Sequence, residues 1–295
     1  MSFSSTVQTS LIAETANSSK YSHMQPKPPP NIIKGGSHAY RIPQLPSPQE
    51  QRKWALQHMA GAFRVFARKG YTEGTIGHVS LRDPIDPNTF WINPMGKHFA
   101  LMKVCDLVHV DQDGNILPTG NQAPIKLAGF LMHSAIHKAR PDVNAACHFH
   151  TTYGKAWSCF GQPLDMINQD ACIFYNHHAV YSQFNGAVLN QQESGNIVKA
   201  LGNDGKAIIL QNHGLLTVGS TIDEAAYLFT LMEKCCQIQL LAQLAQLVPL
   251  HNTIKIIGDK EARYCEEIHG GAETLYTEFQ PDLELEYYLN DDFMN

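Results

Sequence analysis

Cys147-His148-Phe149-His150 sets two imidazoles one residue apart. In an extended strand, side chains two residues apart share a face, so His148 and His150 would present both rings on one side. Two imidazoles on one face begin a metal site, and a third donor would complete it. His213 is the best candidate: it follows the strand-like run Lys206-Ala-Ile-Ile-Leu-Gln211 and precedes Gly214, where the backbone can turn. Together the three would form a divalent metal site with one side open to a substrate. With 15 His in the chain, an HxH pair also arises between structural histidines. Context favours ligation, because Val143 to His150 follows a helix stop at Arg140-Pro141-Asp142 and places the pair at the far end of a buried-looking strand. Cys147 neighbours the pair, but strand alternation turns it to the other face, where it reads as packing.

The elements that must position these residues are legible in outline. Residues 1–45 are rich in Ser, Thr, Pro and Asn, include Lys27-Pro-Pro-Pro30 and Gly35-Gly36, and read as a flexible leader. Ser47-Pro48-Gln49-Glu50 is a capping box with proline in the first turn, so a helix follows, with Leu56, Met59, Ala60, Phe63 and Phe66 at helical spacing and a stop at Gly70. His78–Arg82, Thr89–Asn93 and Leu107–Asp111 read as short antiparallel strands separated by turn residues. A second helix is predicted over Pro124–Lys138, ended by Pro141, and a third near Tyr153–Phe160. The stretch 166–188 has weak periodicity. Strands 207–211 and 215–219 flank Asn212-His213-Gly214, and a second capping box, Thr221-Ile-Asp-Glu224, opens a long helix to about Leu247. The chain thus divides into the leader at 1–45, one domain at 46–258 and an acidic, aromatic C-terminal arm at 259–295.

Composition excludes several classes. The chain has 295 residues, 43% of them hydrophobic, enough to bury the core of one sizeable α/β domain. The net charge is −5 and no Lys/Arg run is present, which argues against a sequence-independent grip on nucleic acid. No apolar run approaches the roughly 20 residues that span a bilayer, and the N-terminus lacks an apolar signal core, so a cytoplasmic protein without a membrane partner is expected. Seven Cys show no CxxC spacing and read as reduced thiols.

Four motifs in order, Gly74-Thr-Ile-Gly-His-Val-Ser-Leu-Arg82, Arg140-Pro-Asp-Val143, His148-Phe-His150 and Asn212-His-Gly-Leu-Leu216 with the Thr221 helix, resemble the class II aldolase and adducin head-domain family over roughly residues 50–250. The resemblance implies a three-layer α/β/α sandwich with a mostly antiparallel central sheet, commonly assembled as a homotetramer with sites near subunit boundaries. It also implies that His148, His150 and His213 hold zinc or another divalent ion. Family aldolases place a glutamate about four residues before a helix histidine matching His133; here that position is Gly129, which supplies no acid or base. Their phosphate cradle matches Gly77-His78, Met95-Gly96 and Leu117-Pro-Thr-Gly-Asn-Gln122, where Asn and Ser donors are partly missing, so a small substrate without phosphate is expected. His78, Asn93 and Gly96 are the expected substrate contacts, with Lys97 at the pocket edge.

Three functions follow. The first is a metal-dependent, aldolase-like lyase or isomerase acting on a small hydroxy-carbonyl compound, with zinc as the metal. The second is a non-haem Fe(II) oxygenase that decarboxylates aryl-keto acids, a reaction that does not require the missing glutamate. The third is a non-catalytic adducin-like assembly or cytoskeletal module. Catalytic acid or base residues are not assignable; Asp170, Glu193 and Tyr175 are equally explained by turns, solvent and packing. His177-His178 reads as loop, because adjacent side chains of an extended chain diverge.

Overall fold

The computed structural model describes residues 41–186, 188, 189, 191–247 and 253–295. Most of the expected leader lies outside the described residues; within its remainder, the Ile42 N–H donates to Glu273 Oε2 at 3.1 Å. Helix α1 (Pro48–Arg68) starts where its cap chemistry dictates, with Ser47 Oγ accepting from the Glu50 N–H and donating to the Glu50 carboxylate. Strands β1 (His78–Arg82), β2 (Phe90–Ile92) and β3 (Val108–Val110) follow as an antiparallel meander. Next come α2 (Leu127–Ala139), β4 (Ala145–Phe149), α3 (Thr152–Ser158), β5 (His178–Tyr181) and α4 (Gln191–Leu201). The hairpin β6 (Ala207–Leu210) and β7 (Gly214–Gly219) leads into the long α5 (Ile222–Gln246), then α6 (Asp259–His269) and α7 (Ala272–Leu289).

All seven strands form one sheet in the order β3-β2-β1-β4-β7-β6-β5. Each pairing is antiparallel except β5 with β6. Alternation along the central strand β4 sorts its faces. Ala145, Cys147 and Phe149 join the large apolar cluster that includes α1, α5 and α7, whereas Ala146 packs with Met132 and Ile136 of α2 and Ile197 and Leu201 of α4. The sheet therefore lies between two helical layers, the α/β/α sandwich expected from the sequence.

The end of β4 is pinned by aromatic packing. The Phe149 ring lies 4.7 Å from that of Phe66 and 4.8 Å from that of Phe229, centroid to centroid, and all three are fully buried. Burying a phenyl ring contributes about 2–3 kcal/mol, so the residue between the two histidines anchors both. The segment read as a C-terminal arm forms α6 and α7, and its Leu275, Phe279 and Leu283 belong to the same apolar cluster. All seven Cys are free thiols; Cys147, Cys172, Cys235 and Cys236 are buried, while Cys105 and Cys159 are exposed. Among the described residues, no helix is long and apolar enough to cross a membrane.

Candidate metal centre

His148 is the penultimate residue of β4, fully buried, and its Nδ1 lies 2.9 Å from the Leu215 carbonyl oxygen. A carbonyl only accepts, so Nδ1 carries the proton and Nε2 keeps its lone pair free for another partner. His150 sits just past the strand end, before the first turn of α3. His213 occupies the β6–β7 turn, where Asn212 adopts φ 57°, a left-handed conformation that asparagine tolerates. Gly214 follows because the chain passes close to β4: a Cβ there would stand 2.6 Å from the Phe149 carbonyl oxygen. That close approach swings His213 against the pair.

The three rings have centroids 5.1 Å (His148 to His150), 4.8 Å (His148 to His213) and 4.6 Å (His150 to His213) apart. One ligand atom from each lies within 4.8 Å of the others. Burial, reinforced by His213 and His150, holds His148 well below the ordinary imidazole range. Burial also brings His150 down to about 4, with His213 and the amino groups of Lys155 and Lys126 adding to it. His213 is lowered by burial and by Lys126. Near pH 7 all three are neutral donors, the state a cation requires.

These histidines face a cavity of about 360 Å³, whose walls include Ile76, Met132, Phe184 and Val188, with Lys126 and Lys155 also lining it. No carboxylate is among the described residues that line it. Lys155 is held by Glu73 at 2.8 Å, whereas the amino group of Lys126 reaches the Thr75 carbonyl only at 3.5 Å. Gly129 lines the same cavity, at the position where sequence comparison with the aldolases expected a glutamate.

Of the expected substrate contacts, the structure brings one to this cavity. His78 lines it, directly opposite His148 in the β1–β4 register. Asn93 and Gly96 lie outside its lining; Asn93 instead bridges strand ends, its Oδ1 accepting from the Val79 N–H at 3.0 Å and its Nδ2 donating to the Gly77 carbonyl at 3.3 Å. Lys97 pairs with Asp106 at 2.7 Å. His177 lies in the turn before β5 and contacts the Asp204 carbonyl, whereas His178, read as loop from the sequence, is the first residue of β5, its ring meeting the Phe174 carbonyl and the Leu164 N–H. His133 and His137 share Ser80 Oγ, at 2.6 and 2.8 Å, beneath the site. Sequence reasoning missed Lys126, Met132 and Phe184 because a lysine before a helix and apolar residues in a helix or loop carry no signal of a shared cavity.

Comparison with known proteins places this geometry. Residues 57–240 match the model of the Class II Aldolase and Adducin N-terminal domain. The chain is 47% identical over 241 residues to the Meiotically up-regulated gene 14 protein of Schizosaccharomyces pombe, covering 82% of this chain and 92% of that protein. It is 43% identical over 197 residues to Decarboxylase NovR of Streptomyces niveus, covering 66% and 72% of the two chains. Over 197 residues it is 42% identical to the 4-hydroxy-3-prenylphenylpyruvate oxygenase/4-hydroxy-3-prenylbenzoate synthase of Streptomyces roseochromogenus, covering 66% and 70%. Among solved structures, L-fuculose 1-phosphate aldolase from Glaciozyma antarctica superposes with a TM-score of 0.77 at 39% identity, covering 86% of this chain and 96% of that one.

Proposed function

The chain belongs to the class II aldolase and adducin family, and on that premise we propose that it is a metal-dependent enzyme that decarboxylates a small, phosphate-free 2-oxo acid with an aryl body, using iron(II) and dioxygen. The carrying observation is the composition of the cavity: three neutral imidazoles, apolar walls and no carboxylate. Losing carbon dioxide from a 2-oxo acid does not require the carboxylate base of the aldolases, and the described lining of this cavity holds no carboxylate. The names of the Streptomyces relatives, a decarboxylase and a phenylpyruvate oxygenase, support the same chemistry.

His148, His150 and His213 would hold the ion, and the fit rests on their donor set: three neutral nitrogens, one of them oriented by the Leu215 carbonyl. When bound, a divalent ion supplies Lewis acidity towards a carbonyl oxygen, and iron(II) adds a redox couple for dioxygen. The remaining work belongs to the chain. Lys126, the less engaged of the two lysines, supplies positive charge for the substrate carboxylate. Met132, Val188 and Phe184 exclude water and pack an aromatic body.

A second reading, zinc-dependent cleavage of a hydroxy-carbonyl compound, is favoured by the likeness to L-fuculose 1-phosphate aldolase. One experiment separates them. The full chain is loaded anaerobically with iron(II) or zinc and given phenylpyruvate with oxygen, or L-fuculose 1-phosphate without it. Oxygen uptake with carbon dioxide release, in the iron form only, is the expected result. Aldehyde release by the zinc form with no oxygen uptake by the iron form would overturn the proposal in favour of the lyase.

A further inference from the structure

One histidine of the cavity is left unused by the three-His set. His78 is 6% exposed, and neither of its ring nitrogens has a hydrogen-bond partner among the described residues. Buried polar atoms are almost always paired, because leaving them unpaired costs stability, so two orphans in one ring require a reason. His133 Nε2, another ring nitrogen without a partner, belongs to the neighbouring ring, 6.1 Å away centroid to centroid. The His78 ring stacks on that of His148 at 14° and 5.9 Å, beyond the 4.6 to 5.1 Å that separates the three converging rings from one another. It therefore stands beside the ligand cluster and outside it.

Helix α2 passes over this ring at Gly129. A Cβ built there would stand 2.5 Å from Cγ and Cδ2 of His78 and 2.7 Å from Nδ1, distances at which a ring cannot remain. Glycine inside a helix is less stable than alanine, so its presence here has a spatial explanation: the ring of His78 fills the volume that any side chain at 129 would occupy. The two departures from the sugar-phosphate aldolase pattern noted in the sequence, at 78 and at 129, are thus in contact and form one change.

We propose that His78 is the substrate-gripping residue of this site, its ring N–H donating to a carboxylate oxygen of the 2-oxo acid, and that Gly129 is retained to make room for that ring. The one ring nitrogen of the neutral imidazole that carries hydrogen selects an acceptor, and the amino group of Lys126 at the same cavity biases the choice towards an anion. The identity of the anion rests on the function proposed above; the role of His78 as an anion donor does not.

The test uses the full chain loaded with zinc, so that binding is read without turnover, titrated calorimetrically with phenylpyruvate and separately with inorganic phosphate. His78→Phe keeps a ring against His148 and removes both nitrogens. It is expected to weaken phenylpyruvate at least tenfold while zinc per chain is unchanged and Tm is equal or higher. His78→Gln, which restores a donor, regains part of the loss, and His78→Ala gives the same readout if the larger ring is not accommodated. Gly129→Ala is expected to weaken phenylpyruvate tenfold in the wild-type background and to lower Tm there, yet to raise Tm in the His78→Ala background. Equal binding by wild type and His78→Phe overturns the proposal. A wild type that binds phosphate in place of phenylpyruvate, with phosphate lost in His78→Phe, upholds His78 as the anion grip and refutes the 2-oxo acid reading. Binding of neither probe by wild type overturns both.

Discussion

Glu233, on α5, is the residue whose removal most directly tests how the histidine cluster is held. It is buried, and its Oε2 accepts from Thr151 Oγ1 at 2.5 Å and from the Gly154 N–H at 2.6 Å, while Oε1 accepts from the Tyr153 N–H at 2.9 Å. The three donors belong to the start of α3, whose first amides have no partner inside their own helix. Thr151 follows His150 directly, so the carboxylate fixes the backbone on which that imidazole rides. Glu233→Gln keeps the shape but leaves one accepting oxygen, and its amide N–H₂ must confront a donor. One charge-assisted bond, worth about 1.5–3 kcal/mol, is replaced by an unmet buried donor, and the other two weaken to about 1 kcal/mol each. The total loss comes to about 4 kcal/mol, which at this chain length lowers Tm by roughly 6 °C. Because the turn bearing His150 loosens, affinity for a divalent ion should fall about 10- to 100-fold. Urea unfolding followed by circular dichroism measures the first effect, and competition of zinc against a chelator measures the second. A loss below 1 kcal/mol would refute the hydrogen-bond account; a large loss with unchanged zinc affinity would refute the coupling to His150.

Two further outcomes follow from the same geometry. His213→Ala removes one donor of three from a partly exposed turn, so zinc should fall from about one ion per chain to near zero after a chelator wash, with the metal-free protein still cooperatively folded; full occupancy by the variant would show that the third donor is another group. Stability should fall on acidification, because burial, followed by the effect of His137 on the one and Arg82 on the other, holds both His133 and His137 down at about 3. A histidine depressed in the folded state contributes stability that is complete above its unfolded value, about 6.5, and is lost as pH falls towards the folded one. Each loses about 1 kcal/mol over the first pH unit below 6.5, where the unfolded ring is only partly protonated, so the pair should remove roughly 2 kcal/mol between pH 6.5 and 5.5. Thermal unfolding across that range checks it, and a flat Tm would mean that the two rings open to solvent.

The elements governed by local chemistry were legible. Ser47 and Thr221 cap α1 and α5 as their spacing predicts, because a hydroxyl three residues before an acceptor-poor amide acts without help from the rest of the fold. The reciprocal half of the second box was not visible: Glu224 turns to the Ser220 N–H and to Lys206 instead. β5 escaped notice because it is a short edge strand, half-exposed over most of its length and paired in parallel with β6, so neither alternation nor a hairpin turn marks it. α4 carries only two buried apolar residues, Ile197 and Leu201, and its polar composition reads as loop. In α7 the stripe Leu275, Phe279, Leu283 has helical spacing, but Pro281 and the surrounding acids obscure it. At the site, HxH signalled one strand end and the turn before Gly214 pointed to His213 as its partner, whereas the close approach of the Gly214 backbone to Phe149 that brings the rings together is tertiary.

The strand order explains how one scaffold can change its chemistry without rebuilding its centre. β4 is paired on both sides, by β1 and β7, so the backbone that carries His148 is held by two ladders and by the rings of Phe66 and Phe229. His148 therefore belongs to the part of the sheet least free to move, with His150 and His213 directly at its edge. His78 belongs to β1 and Gly129 to α2, elements that touch the cluster from the side and the front. Exchanging a carboxylate on the helix for a ring on the strand keeps the volume filled and leaves the three donors where they are. A carboxylate at 129 would offer a base to a reacting C–H or O–H, whereas a ring at 78 offers a donor to an oxygen that does not react. The sheet decides where an ion could sit, and the two residues flanking it decide whether protons are moved or merely an anion held.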